Sequence, residues 1–414
     1  MTISRRQVLK GMALAPTVAL AGPASFDKHA PKPVAAGEGA LEFKVRRYET
    51  CLDNARWHPL SMGARARVEE YLEYKERVVW TKPDLIDQLQ KSVKQNFARL
   101  IGADAGEIAY VNSTTAGETM FVSSLGLPDK DCNIVTDGLH FEGSLYLYGA
   151  LQKQGMDVRC VRPDKNWRID LKDMERAIDH KTRLVAVSQA SFINGFQHDL
   201  KALCELAHSR GALVYVDAVQ AVGAIPVDVR ESGVDAMGSA SYKWLMGDFG
   251  LGFLYVRQSV IPRLRRTLFG YRQLNAFNYH AFPGDPVGPY PASWSQHDDA
   301  SGFFEIGTYS NATLAALSYS LPAILDMGPA AIQQHVQQLI AKVQREIPRL
   351  GYPSMTPADA GSPIATFLIK DSAALAKKLR TAGVDVAAGN GRMRISPSIY
   401  NTDGDIERLL EALA

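Results

Sequence analysis

"GALVYVDAVQAVG", residues 211–223, is an apolar run that stops at a carboxylate. Ala212 to Val216 carry no polar interruption, Asp217 follows, and Gln220 comes three residues later. A strand that is apolar on both of its alternating faces is buried on both. That is the mark of a parallel sheet covered by helices, so the segment predicts an α/β fold. In open parallel sheets, ligands bind beyond the carboxyl ends of the strands. Asp217 therefore stands where a ligand would meet the sheet.

The same kind of run recurs on either side: "EIAYV" (107–111), "CNIV" (132–135), "DVRCV" (157–161), "RLVAVS" (183–188), "AMGSAS" (236–241) and "GFLYV" (252–256). Together they predict a mostly parallel, seven-stranded sheet. Helical patterns separate several of them. In "LKALCELAHSRG" (200–211), Leu200, Leu203, Leu206 and Ala207 recur at helical spacing and Gly211 supplies the stop. After a helical segment near 312–350, the order "PIATFLI", "DSAALAKKLRTAG", "VDVAAG", "MRISPS", "DGDIERLLEAL" predicts a second, smaller α/β domain. Residues 265–300 are dense in aromatics and proline, and too long for a mere connector. They are expected to be an irregular gate or a subunit contact.

The chain has 414 residues, enough for two lobes. The expected division is a 41–84 arm, an 85–320 large domain and a 321–414 small domain. Basic residues number 46 against 44 acidic, which gives no charge excess to argue for nucleic acid or anionic lipid. Cys51, Cys132, Cys160 and Cys204 are scattered without a CxxC pair, so no metal or iron–sulfur ligand set is expected. Neither GxGxxG nor GxxxxGK[ST] occurs, which argues against a nucleotide-binding protein of similar architecture.

The chain begins with "SRRQVLKGMALAPTVALAG" (4–22): two arginines, an apolar run, and Ala19-Leu20-Ala21 as a small-x-small cleavage pattern. The run falls short of the about 20 apolar residues a bilayer span needs. It resembles a twin-arginine export signal, which implies folded passage through that machinery, cleavage near Ala21, and a soluble periplasmic product. Residues 22–40, rich in Pro, Gly and Ala, are expected to be a tether.

Two further segments carry chemistry. "GSASYKWLMGDFGLGFLYV" (238–256) places Lys243 at the end of a strand among apolar and glycine residues. Desolvation there would leave the free amine that covalent chemistry with an aldehyde needs. "IAYVNSTTAGETMFV" (108–122) runs from a strand into a hydroxyl-rich helix start, expected to be capped by Thr115 with Glu118 as its capping-box partner. Such a helix start suits a phosphate.

Asp217 with Gln220, Lys243 one strand later, and the upstream hydroxyls resemble fold-type I pyridoxal-phosphate enzymes of the class V aminotransferase superfamily. That group includes aminotransferases, cysteine desulfurases, kynureninases and isopenicillin N epimerase-like proteins. The likeness runs from Cys51 to the last helix. It implies that Lys243 holds the cofactor aldehyde and that Asp217 keeps the pyridine nitrogen protonated. Gln220 would touch the ring's phenolate oxygen, Thr114, Thr115 and Tyr242 the phosphate, and Gln189 would lie near the cofactor. Phe141, in "LHFEGSLY", falls where the family stacks a ring over the pyridine. Thr308, in "FEIGTYSN", would reach the phosphate of a second copy in a homodimer with shared sites. Arg394, in "RMRISPSIYNTDGDIERL", would clamp the carboxylate of an amino-acid substrate.

Phe141 in place of a stacking histidine, and the absence of cysteine from "GVDVAAGNGRMR" (383–394), argue against a cysteine desulfurase. "CLDNARWHPL" (51–60) departs from its relatives by placing Arg56, Trp57 and His58 where small residues are usual. A second arginine near the substrate could select a second carboxylate, so Arg56 and His58 are candidate substrate residues, with a structural arm in which Arg56 pairs with a surface acid as the alternative. Transamination is the expected reaction, ahead of epimerisation and β- or γ-elimination.

Overall fold

The computed structural model describes residues 42–44, 50–78 and 84–414. The export signal and tether expected over 1–40 lie outside the described residues.

Each of the seven apolar runs is a strand. In chain order, β1 is Thr50–Cys51, β2 is Ile108–Val111, β3 is Asn133–Asp137 and β4 is Asp157–Val161. Then come β5 (Thr182–Ser188), β6 (Leu213–Asp217), β7 (Ala236–Ala240) and β8 (Gly252–Val256). The sheet order is β2-β8-β7-β6-β5-β3-β4, with only β8 antiparallel to its neighbours. Neighbouring residues along a strand feed opposite cores. Val185, Val187, Val214 and Val216 pack on one face. Leu184, Ala186, Leu213 and Tyr215 pack on the other. Burial on both faces is what the unbroken apolar runs require.

The chain leaves β3 for β4 on one side and leaves β5 for β6 on the other. The crevice between the carboxyl ends of β3 and β5 is thus the topological switch point, where a ligand finds room. Two helices carry further residues of the site, α1 (Thr114–Ser124), which follows β2, and α2 (Glu142–Lys153), which follows β3.

Residues 265–300 are less irregular than expected. β9 (Leu274–Tyr279) and β10 (Ala292–Gln296) form an antiparallel hairpin in which Phe277 pairs with Trp294. Phe277, Tyr279 and Trp294 are exposed. The aromatics that mimic a core pattern in the sequence decorate an outer ribbon instead.

The smaller unit has its own core and a three-stranded antiparallel sheet, in the order β11 (Ala365–Leu368), β14 (Arg392–Ile395), β13 (Ala387–Gly389). β1 pairs in parallel with β12 (Val384–Asp385), so the N-terminal segment is stitched onto this unit. The expected boundary at 320 falls inside the helix Asn311–Met327, whose Leu314, Leu317, Leu321 and Ile324 belong to the core of the large sheet. The chain turns at Gly328, φ 78°, before the next helix begins at Pro329.

Candidate active site

Lys243 lies three residues past the end of β7, in a turn pinned from several sides. Ser241 Oγ donates to the Leu251 carbonyl at 2.7 Å, and the Met246 amide donates to the Lys243 carbonyl at 2.9 Å. Met246 adopts φ 56°, a left-handed conformation uncommon outside glycine and concentrated at functional sites. Gly223, at φ 93°, lets its turn pass close. A Cβ there would sit 2.5 Å from the Trp244 carbonyl oxygen.

Only 8% of Lys243 is exposed. Burial lowers its pKa to about 8; Asp217 and Asp53 oppose the shift and Arg394 adds to it. The amine is thus partly neutral near neutrality. The rate at which the purified apoprotein forms a covalent link with pyridoxal phosphate is expected to rise with pH through about 8 and then level off, followed by absorbance. A profile that keeps climbing to the ordinary lysine range would contradict this environment.

Asp217 ends β6, fully buried, with Oδ1 accepting from the Val219 amide at 2.9 Å. Burial pushes its carboxyl upward, opposed chiefly by the charge of His140. Beneath it lies a polar network. Ser188 is the register partner of Asp217 on β5, and its Oγ is 2.8 Å from His140 Nδ1. His140 Nε2 lies 3.2 Å from Glu118 Oε1. Glu118 also accepts from Tyr148 OH at 2.7 Å and from Ser144 Oγ. Despite burial, Glu118 raises the pKa of His140 and His140 lowers that of Glu118, so each favours the charged form of the other.

This corrects the expected capping box. The N-cap of α1 is Ser113, which accepts from the Ala116 amide at 3.1 Å, and Glu118 points into the network instead. Neither Glu118 as an ion-pair partner nor His140 was singled out in the sequence. The available signal is a histidine within the turn from β3 to α2.

Thr114 and Thr115 part company. Thr115 is exposed in the first turn of α1, whereas Thr114 Oγ1 is buried with no hydrogen-bond partner. Tyr215 OH is likewise unpartnered. Both side chains converge on Gly238, where a Cβ would meet Tyr215 OH at 2.3 Å and Thr114 Cγ2 at 3.1 Å.

Phe141 caps α2 and sets its ring edge-on to Phe192, centroids 5.4 Å apart. Gly143 makes room for it, since a Cβ there would fall 2.7 Å from the Phe141 ring. The ring of Tyr242 stacks on Phe249 at 4.3 Å, and Lys243 Nζ lies 5.7 Å from its centroid. The Gln189 amide donates to the Asp217 carbonyl at 2.9 Å, and its Oε1 is buried without a partner.

Gln220 is more structural than expected. Its Oε1 accepts from Trp244 Nε1 at 2.9 Å and its Nε2 donates to the Ala55 carbonyl at 3.0 Å. Only the second N–H of that amide remains to meet a phenolate. Thr308 is exposed, and its carbonyl accepts from Asn112 Nδ2 at 3.2 Å, two residues before Thr114.

Arg394 projects from β14 into a cavity of about 710 Å³ that Asp53, Arg56 and Phe192 also line. Nη2 donates to Asp53 Oδ1 at 2.8 Å and Nη1 to the Phe192 carbonyl at 3.3 Å. Nε is buried without a partner. Asp53 is a residue that sequence reasoning passed over, although it lies in the quoted "CLDNARWHPL". Burial raises its pKa, held back by the Arg394 charge.

Arg56 lines the cavity and His58 does not. The imidazole of His58 is buried, with Nδ1 2.8 Å from the Pro59 carbonyl and Nε2 2.8 Å from Ser398 Oγ. Burial lowers its pKa to about 4, so it stays neutral. It ties the N-terminal segment to the small domain.

The Lys243 amine feels both the Asp217 carboxylate and the Arg394 guanidinium electrostatically. The family model described as aminotransferase class-V matches residues 65–409. The chain belongs to the aminotransferase class-V family. Enzymes of this family use pyridoxal phosphate, and the residues present fit it: a desolvated amine, a buried carboxylate, an unpartnered Thr114 hydroxyl at a helix start, and the hollow at Gly238.

Within the family, the chain is 24% identical to an uncharacterized aminotransferase, YcbU, of Bacillus subtilis, over 88% of this chain and 92% of that one. It is 26% identical to a probable cysteine desulfurase of Methanothermobacter thermautotrophicus, over 90% and 96%. The solved cysteine desulfurase CsdA of Escherichia coli superposes with a TM-score of 0.78 at 19% identity, covering 90% of this chain and 96% of that one. The fold is therefore that of fold-type I pyridoxal-phosphate enzymes.

Proposed function

We propose that this protein is an aminotransferase acting on the amino group of an amino acid or an amino-acid-derived metabolite. The observation that carries the reading is the cavity that opens in front of Arg394, whose buried Nε lacks a partner, close enough to Lys243 for their charges to interact. The guanidinium holds the substrate carboxylate and so fixes the α-carbon. Lys243, when neutral, takes the α-proton as general base. Asp217 holds a positive charge in place across from it, and the charge of His140 favours its ionised form. Phe141 covers the crevice and excludes water. The bound cofactor supplies an electron sink for the α-carbon.

Holoenzyme incubated with single amino acids is expected to convert its cofactor to the amine form, detected by mass spectrometry. If no donor produces that form while α-deuterium is still exchanged, epimerisation replaces transamination.

Carbon–sulfur cleavage is the second reading, favoured by the relatives named as cysteine desulfurases. Among the described residues, Cys51 is buried and its thiol pKa is raised by that burial, which suits packing better than sulfur transfer. Sulfide release from cysteine by the holoenzyme would decide for this reading.

Two placements complete the proposal. Residues 4–22 support export through the twin-arginine pathway, with cleavage near Ala21 and activity in the periplasm. Thr308, exposed beside the phosphate end, would serve a second copy of the chain in a homodimer.

A further inference from the structure

The cavity in front of Arg394 is lined by more guanidinium groups than one α-carboxylate requires, although its three carboxylates bring the formal net charge to +1. Arg56, Arg380, Arg392 and Arg394 line it, against Asp53, Glu142 and Asp385. Asp53 is committed to Arg394. Glu142 sits in the first turn of α2, where a carboxylate is stabilised by the helix terminus. Asp385 lies beside the thiol of Cys51. Among the described residues, no carboxylate lies within ion-pair distance of Arg56, Arg380 or Arg392.

The backbone explains why two of these cations act together. Arg392 and Arg394 are two apart on β14, so they share one face, while Met393 between them points into the small-domain core. On β13 their register partners are Gly389 and Ala387, which leave that face open. Two residues along a strand span roughly 6.6 Å. The end carboxyl carbons of an extended five-carbon diacid are about 5 Å apart, from four C–C bonds of about 1.5 Å each. The two lengths are close enough that flexible arginines can take both ends. Arg56 flanks the same cavity from the N-terminal segment, its amide donating to the Asp53 carbonyl at 3.0 Å.

We propose that the substrate is an α-amino acid whose side chain carries a second carboxylate, with the α-carboxylate on Arg394 and the distal one on Arg392 and Arg56. This inference rests on the reading that the site acts on amino acids. A second carboxylate would find two cations without partners, and a neutral side chain would leave both unused. Selection of this kind comes from a contact that one ligand makes and its rival cannot.

The test uses holoenzyme and two unreactive probes, glutarate and butyrate, with binding read by titration calorimetry. Glutarate should bind roughly tenfold or more tightly than butyrate, the worth of one charge-assisted contact. Arg392→Gln and Arg56→Gln should each shrink that preference, and Arg394→Gln should weaken both probes. Arg56 is exposed, so its variant keeps the test open if the strand variant does not fold. Equal affinities in the unmodified protein, or an Arg56→Gln protein with undiminished preference, would overturn the inference. The same samples are checked for cofactor linked to Lys243. Cofactor present with equal affinities sinks only the substrate class, whereas cofactor absent sinks the proposed function itself.

Discussion

Glu118→Ala lowers the free energy of unfolding by about 3–5 kcal/mol, the usual cost of removing one partner from a buried ion pair. The effect is large because Glu118 is almost wholly buried and accepts from three groups at once, His140, Ser144 and Tyr148. Truncation strands a buried cation and two hydroxyls in a site that water does not reach. Glu118→Gln keeps an acceptor but loses the charge, and should fall between the alanine variant and the unmodified protein. Denaturant unfolding measures both. A loss below about 1 kcal/mol for alanine would mean the network contributes little beyond an ordinary hydrogen bond.

The pair also sets a pH window. The folded-state pKa of Glu118 is depressed, so its contribution is present above the ordinary glutamate value and is lost as pH falls through the depressed one. His140 is raised, so its contribution is complete below the ordinary histidine value and is lost as pH rises through the elevated one. The difference in stability between the unmodified protein and Glu118→Ala should therefore peak between the two ordinary values, 4.5 and 6.5.

Lys243→Ala is the second large effect, and it falls on chemistry rather than on folding. The variant should lose turnover by at least about 10³-fold, since it removes both the covalent anchor and the general base. Stability should not fall, because the lysine is held in a place that disfavours its charged form. Turnover with the best amino-group donor, set beside thermal unfolding, separates the two. Activity within about tenfold of the unmodified protein would contradict the assigned role, because a general base alone contributes 10²-fold or more.

The parts of this molecule that were legible in the sequence share one cause. A strand buried on both faces is apolar at most positions, so the runs from Ile108 to Val256, apart from the partly exposed edge strand β4, announce the sheet without help from their neighbours. Asp217 and Lys243 could be picked out because each interrupts such a run at its carboxyl end. What escaped depends on partners distant in the chain. Glu118 sits at capping-box spacing from Thr115, yet His140, 22 residues on, draws it away from the helix start. Asp53 finds Arg394 across 341 residues. His58 looked like a pocket residue because of its neighbour Arg56, and only the arrival of Ser398 shows it to be a tie. The hairpin of β9 and β10 was hidden because its aromatics face outward, which reverses the usual inference from apolar pattern to core.

The most direct test of the account is the address of the cofactor. Purified protein loaded with pyridoxal phosphate is reduced with borohydride, digested and sequenced by mass spectrometry. The account predicts a single reduced pyridoxyl adduct, on Lys243. An adduct on another lysine, or none after reconstitution, would contradict it.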